Sequence, residues 1–195
     1  DFKKVSHVFG YGKPVFQAIS NSINRQINVI HYLTGSEKHF QNNAELKRVY
    51  YFNNKYLANY TPRRLVNEPH SLEDFYIKKV ILIGNNKTKS TYQEKMNKGV
   101  NIKTINATSP IEVHYEKDNY PWEKFRNNKI KRILFLSGSG LVHKGLDLVI
   151  EAIKEINSSN IELHIMGPYE QDFFDPLSHL IAGLNVFHHG FKDLR

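Results

Sequence analysis

The sequence predicts an α/β fold built from two parallel-sheet units, and three observations point to it. Short apolar strands alternate with helical segments over residues 4–105, the rhythm of a sheet wound with helices. The rhythm breaks over residues 108–130, where Pro110, Pro121, Trp122 and mixed charges follow neither a helical nor a strand period. It then restarts at residue 132 with an apolar strand, a glycine-bearing loop and an amphipathic helix. At 195 residues the chain is long for one ordinary domain and short for two complete ones. Each unit is therefore expected to be incomplete, the first with its linker over residues 1–125 and the second over 126–195.

The elements follow in order. Residues 4–9 (KVSHVF) form a β-prone run closed by Gly10-Tyr11-Gly12. Pro14 suits the first turn of a helix over about 15–23, where its missing N–H does no harm. A second strand at 27–33 (INVIHYL) ends at Thr34-Gly35-Ser36, and the polar, aromatic stretch 39–66 is expected to be helical in its first part. Residues 79–83 (KVILI) read as a third strand, 88–98 as a helix with Ser90 as its cap, and 101–105 as a fourth strand. A helical turn is expected at 122–126 within the linker. In the second unit RILFL at 132–136 has the continuous apolar character of a strand buried on both faces. Leu146, Val149, Ile150, Ile153 and Ile156 recur at spacings of three and four on one helix face. A strand at 161–166 stops at Gly167-Pro168, residues 171–184 are expected to be partly helical, and a last strand at 185–189 ends at Gly190.

Composition narrows the chemistry. The chain has no cysteine, which excludes disulfides, thiolate zinc sites and cysteine nucleophiles and is compatible with a reducing cytoplasm. No apolar run approaches the length of a membrane span. The opening residues lack the apolar core of a secretory signal and no initiating Met is present, so the start reads as internal. Four Asn-X-Ser/Thr sequons, at Asn59, Asn86, Asn106 and Asn157, are expected to be unmodified without such a signal. The net charge of +8 is uneven: residues 1–125 hold 19 Lys/Arg against 11 Asp/Glu, and residues 126–195 hold 8 of each. The basic part suits an anionic membrane, a phosphorylated acceptor or nucleic acid, or is simply a solvated face. Its densest stretch, 47–64, interleaves Lys47, Arg48, Lys55, Arg63 and Arg64 with Tyr50, Tyr51, Phe52, Tyr56 and Tyr60. Anionic lipid, single-stranded nucleic acid and a half-buried helix with snorkelling basic side chains all fit that pattern, the last most simply. Ten histidines raise the question of a metal, but His188 and His189 fall on opposite faces of a strand and no metal site is expected.

The loop at 138–145 (GSGLVHKG) carries the most chemistry. A strand leads into a glycine turn and a helix begins a few residues later, so backbone amides and a helix start are offered to an anion, with Lys144 adding a full charge. The glycines follow G-x-G-x-x-x-x-G, which is neither the dinucleotide fingerprint nor a P-loop. By spacing alone, a phosphate-binding loop and an ordinary βα turn with a solvated Lys are equal readings.

The wider pattern resembles the donor domain of glycosyltransferase family 4, the "group 1" retaining enzymes of GT-B fold. The pieces that carry the resemblance are RILFLSGSG, HKGLD, LVIEAIKEI, IELHIMGP and NVFHHGF, in that order over residues 131–195. More loosely, KVSHVFG, INVIHYLTGS, KKVILIGNN and VNIKTINA resemble strands of the acceptor domain. The resemblance implies a GT-B-like fold of two Rossmann-like units: the back half of an acceptor domain in residues 1–125 and the front half of a donor domain in 126–195. It implies transfer of a sugar, of hexosyl type, from a nucleoside-diphosphate sugar to a glycan or lipid-linked acceptor in glycan or cell-envelope polysaccharide biosynthesis. The setting would be cytoplasmic, with peripheral contact with an anionic membrane, and with no metal, cofactor or nucleic acid.

The same resemblance assigns Gly138, Ser139, Gly140, His143 and Lys144 to the donor phosphates, and Gly167, Pro168, Gly190 and Phe191 to the border of the nucleotide. The amides of Ser139–Leu141 and Lys144 would stabilise charge on the departing diphosphate. There are two departures. Ser139 stands where the family has Arg, and the acceptor-domain His aligns at Leu33-Thr34, leaving His31, Thr34 and His39 as weak catalytic candidates. The family Glu-x7-Glu motif would lie past Arg195, so this chain alone is not expected to complete the reaction. A non-catalytic nucleotide-sugar-binding module is the alternative, and a basic nucleic-acid-binding protein a more distant one.

Overall fold

The computed structural model describes residues 5–20, 27–67, 77–93, 99–106 and 126–191. The expected linker and its helical turn fall, up to residue 125, outside the described residues. The chain divides into two compact units, one drawn from 1–41 and 66–112 and the other from 42–65 and 113–195.

In the first unit, β1 (His7–Gly10), β2 (Asn28–Leu33), β3 (Lys79–Ile83) and β4 (Asn101–Ile105) form one parallel sheet in the order β1-β2-β3-β4. Alternation along β3 buries Val80 and Leu82, which join Val29, Ile102, Ile77 and Tyr92 and, from α1 (Gly12–Ser20), Val15 in a single apolar cluster. Helix α3 spans Asn86–Gln93 among the described residues. Ser90 does not cap it: that hydroxyl donates back to Lys87 O at 2.8 Å inside the helix. The residue before the helix takes the role, since Asn85 Oδ1 accepts from the N–H groups of Lys87 and Thr88 at 3.0 and 3.2 Å. An Asn just outside a helix can reach the free amides of the first turn, whereas a Ser within it finds only the carbonyl behind.

In the second unit, β5 (Lys131–Leu136), β6 (Ile161–Met166) and β7 (Asn185–His188) form a parallel sheet in the order β5-β6-β7. Helices α4 (Leu141–Lys144), α5 (Leu146–Ile156) and α6 (Gln171–Ile181) accompany it. The core joins Leu163 and Ile165 of β6 to Leu146, Ile150 and Ile153 of α5 and Phe173 and Leu177 of α6. Val49, Phe52 and Tyr60 belong to the same core, and the first two lie on α2 (Lys38–Tyr56). The sequence reading put residues 42–65 with the first unit. The structure puts them in the second because their apolar residues are buried there, Phe52 stacking on Phe173 at 5.4 Å.

Two further expectations change. β5 is not buried on both faces: Ile133, Leu134 and Leu136 are 37%, 57% and 66% exposed. Among the described residues it is an edge strand, hydrogen-bonded to β6 on one side only, and only Phe135 packs on the core. On α5 the buried face takes in Asp147, while Ile156 in the last turn is exposed.

Candidate functional site

The carboxyl ends of the three second-unit strands converge. Ser137 N–H donates to Met166 O at 2.9 Å and Gly167 N–H donates to Gly190 O at 3.0 Å, carrying the sheet pairing just past the strand ends. Gly167 has a φ of 149°, and a Cβ there would stand 2.2 Å from Ser137 O. Only glycine lets the chain leave β6 this close to the β5 loop. Gly138, Ser139, Gly167, Pro168, Gly190 and Phe191 are thus gathered at one edge of the sheet, the place where open α/β sheets receive ligands.

Gly140, at φ 86°, turns the β5 loop into α4, and Gly145, at φ 79°, separates α4 from α5. The loop already holds an anion, and it is internal. Gly140 N–H donates to Glu170 Oε1 at 2.7 Å and Leu141 N–H to Oε2 at 3.2 Å. The Tyr60 hydroxyl donates to Oε2 at 2.5 Å, and Arg63 Nε lies 3.5 Å from the same oxygen. Glu170 is 5% exposed, and these donors are what make a buried carboxylate tolerable. Burial, with the Glu170 bond added, pushes the Tyr60 phenol well above its usual range, so Tyr60 stays a donor. Beside this carboxylate an open cleft of about 530 Å³ is lined by Ser139, Pro168, Tyr169, Gln171, Arg63 and the acids Glu170, Asp172 and Asp175.

Of the remaining loop candidates, Lys144 is exposed at the end of α4 and does not line the cleft. His143 faces inward: its Nδ1 lies 2.5 Å from Oε2 of Glu45, a carboxylate with no solvent exposure on α2. Its imidazole is therefore engaged with a buried acid rather than offered whole to a phosphate. This contact is one rung of a series. Arg48 Nη2 donates to both oxygens of the fully buried Asp147 at 2.5 and 2.6 Å, Lys55 pairs with Glu151, and the Tyr56 hydroxyl donates to Glu151 at 2.6 Å. Arg63 Nη2 adds a bond to Asp172 at 2.6 Å. The basic, aromatic stretch 47–64 is accordingly a docked helix and its extension, with much of its charge matched by carboxylates of the same unit.

The first-unit candidates differ in exposure. His31 is 6% exposed on β2, edge-on to Phe16 at 5.3 Å. Thr34 is exposed at the strand end and His39 exposed in the first turn of α2. The turn between them is tied down locally, since Tyr92 donates to Gly35 O at 2.8 Å. His164 Nδ1 of β6 lies 2.9 Å from Nε2 of His189, just past β7, while His188 meets Tyr169 and Phe174 on the other face. Among the described residues no group of three potential metal ligands comes together, and no helix is long and apolar enough to cross a membrane.

No protein-family model matches the chain, and no curated protein matches it. Solved structures do. The fold is similar to that of TarM, with a TM-score of 0.54 at 15% identity over 96% of this chain and 33% of that one. It is likewise similar to a single-substitution mutant of S. aureus TarM in complex with fondaparinux, alpha-GlcNAc-glycerol and UDP, with a TM-score of 0.53 at 13% identity over 94% of this chain and 33% of that one. The chain spans about a third of the length of those chains. At these identities the likeness establishes the fold, a mixed α/β arrangement of two parallel-sheet units of GT-B, Rossmann-like type.

Sequence reasoning located the strand ends but missed Glu170, Tyr60, Arg63 and Glu45. Tyr60 and Arg63 lie more than a hundred residues from the acids they meet, so no spacing rule reaches them. Glu170 had a local signal: it follows the Gly167-Pro168 stop and directly precedes a helix, where an acid is expected to serve its own helix.

Proposed function

We propose that this chain is part of a sugar-nucleotide-dependent glycosyltransferase and that its second unit takes the nucleoside-diphosphate sugar. One observation carries the reading: a glycine loop at the carboxyl ends of three parallel strands presents its amides to an anion, here the Glu170 carboxylate. A loop of that polarity, in a fold shared with a protein whose complex contains UDP and sugars, suits a diphosphate. The Gly140 and Leu141 amides are occupied, so the donor's charge falls to the outer side of the loop: Gly138, Ser139 and the exposed Lys144. Gly167, Pro168, Gly190 and Phe191 border the nucleotide. As the bond to the sugar breaks, Lys144 and the outer loop stabilise the charge growing on the diphosphate, with no metal required of the residues present. The acceptor is a glycan or a lipid-linked glycan, the sugar a hexose, and the setting the cytoplasm, with which the absence of cysteine is compatible. Peripheral membrane contact would fall to the outer face of α2, where Lys47, Tyr50 and Tyr51 are exposed.

A second reading, a binding module without catalysis, is favoured by Ser139, which offers a hydroxyl where the resembled family offers a guanidinium. The nucleic-acid reading loses support because Arg48, Lys55 and Arg63 are ion-paired within their own unit. Calorimetric titration of UDP, GDP and their sugar conjugates into wild type and Lys144→Ala tests the proposal. We expect one nucleotide to bind and the variant to bind it about tenfold more weakly, as loss of a charge-assisted contact implies. Equal binding by the two proteins would remove Lys144 from the site.

A further inference from the structure

Glu170 stands at the N-cap position of α6, yet its side chain makes no capping bond to that helix. Its backbone carbonyl accepts from Phe173 and Phe174 at 3.0 and 3.1 Å, while the carboxylate turns away to bridge two consecutive amides of the β5–α4 loop, thirty and twenty-nine residues earlier. A carboxylate that could satisfy its own helix has been spent on another loop, and Tyr60 and Arg63 hold it from the far side. Gly138 and Gly140 of the loop have no side chains, and the Ser137 hydroxyl donates to the neighbouring Gly138 O.

We propose, on the reading of the second unit as the donor site, that Glu170 is the positioning residue of the donor loop. By fixing the Gly140 and Leu141 amides it sets the direction in which Gly138 and Ser139 leave β5, and with it the approach of the diphosphate. The Tyr60 hydroxyl and Arg63 guanidinium orient Glu170 in turn, which ties the loop to the segment that follows α2. Glu170 does not touch the donor. Its effect passes through the loop, so replacing it alters loop order and donor affinity together.

The test uses the whole chain in four forms: wild type, Glu170→Gln, Glu170→Ala and Tyr60→Phe. Residue-resolved amide hydrogen exchange is measured at Gly140 and Leu141, with amides of β6 as the internal standard, and UDP affinity is measured by calorimetry. Loss of a charge-assisted bond predicts about tenfold faster exchange at both amides in Glu170→Ala with β6 unchanged. UDP affinity should fall by about the same factor. Glu170→Gln, which keeps an acceptor oxygen without the charge, should recover part of both effects, and Tyr60→Phe should show a smaller change in the same sense. If Glu170→Ala does not fold, Glu170→Gln and Tyr60→Phe carry the comparison. Unchanged exchange at Gly140 and Leu141 in the folded variants overturns the proposal. So does tighter UDP binding, which would mean that Glu170 opposes the phosphate instead of placing the loop. Wild type that binds neither UDP nor GDP overturns the donor reading itself, and the positioning role with it.

Discussion

Asp147 has no solvent exposure, and both of its oxygens meet one nitrogen of Arg48, itself 22% exposed. Such a pair adds little net stability compared with apolar residues in its place, but breaking it strands a charge. Arg48→Ala should therefore cost about 3 kcal/mol, and adding Asp147→Asn should recover part of the loss by removing the orphaned charge. Urea midpoints of the two proteins check this, and equal midpoints would show that Asp147 finds another partner. Glu45, with His143 and the Arg63 amide as partners, is a second buried acid, on α2. Lys55 and Glu151 form the outermost rung: the bond to Glu151 raises the Lys55 pKa, and although partial burial works against it, the contacts with Lys55 and Tyr56 hold Glu151 low. Both side chains are partly exposed, so this rung contributes at most about 1 kcal/mol.

At the scale of elements, α2 is the unusual piece. Its amphipathic pattern is weak because one face combines Val49 and Phe52 with the charged Glu45, Arg48 and Lys55, which meet partners on α4 and α5. Residues 126–195 contain the whole β5-β6-β7 sheet but lack Val49, Phe52 and Tyr60, all at most 4% exposed. A fragment of 126–195 is thus expected to melt without cooperativity, and a synthetic 42–65 peptide to restore a cooperative transition on binding. Circular dichroism melts of the fragment with and without peptide decide the matter. A cooperative melt of the fragment alone would mean that the sheet and its own helices make a sufficient core.

The whole molecule shares one alkaline liability across its two units. In the first, burial, and next the negative charge of Glu37, push the Tyr92 phenol up to about 12. In the second, burial followed by bonds to Glu151 and Glu170 pushes Tyr56 and Tyr60 higher still. A phenol whose folded pKa is raised contributes stability in full below its unfolded value near 10, and that contribution is lost as pH rises through the folded value. Stability should accordingly fall between about pH 10 and 12 in both units. Tyrosinate absorbance should show a class of phenols that ionises late, together with unfolding. Tyrosines that all titrate together near their usual pKa, with the fold intact, would contradict the burial of these three.

Much of this architecture can be read along the chain, because it rests on local periodicity. Alternation marks the strands, three- and four-residue spacing marks α5, and a glycine after an apolar run marks a strand end, since only glycine tolerates the φ of 149° at Gly167. The grouping of the candidate residues at one sheet edge then follows from parallel pairing. What periodicity cannot supply is the partner of a charge. The same basic, aromatic run over 47–64 fits a lipid surface, a nucleic acid or a docked helix until the acids at 147, 151 and 172 are placed in space against it. Nor does spacing reveal that the Gly140 and Leu141 amides are met by Glu170, or that the apolar β5 lies at an edge of its sheet among the described residues. The physical reason is range. Backbone geometry is set by neighbours a few residues away, whereas burial and ion pairing are set by segments about a hundred residues apart, which only folding brings together.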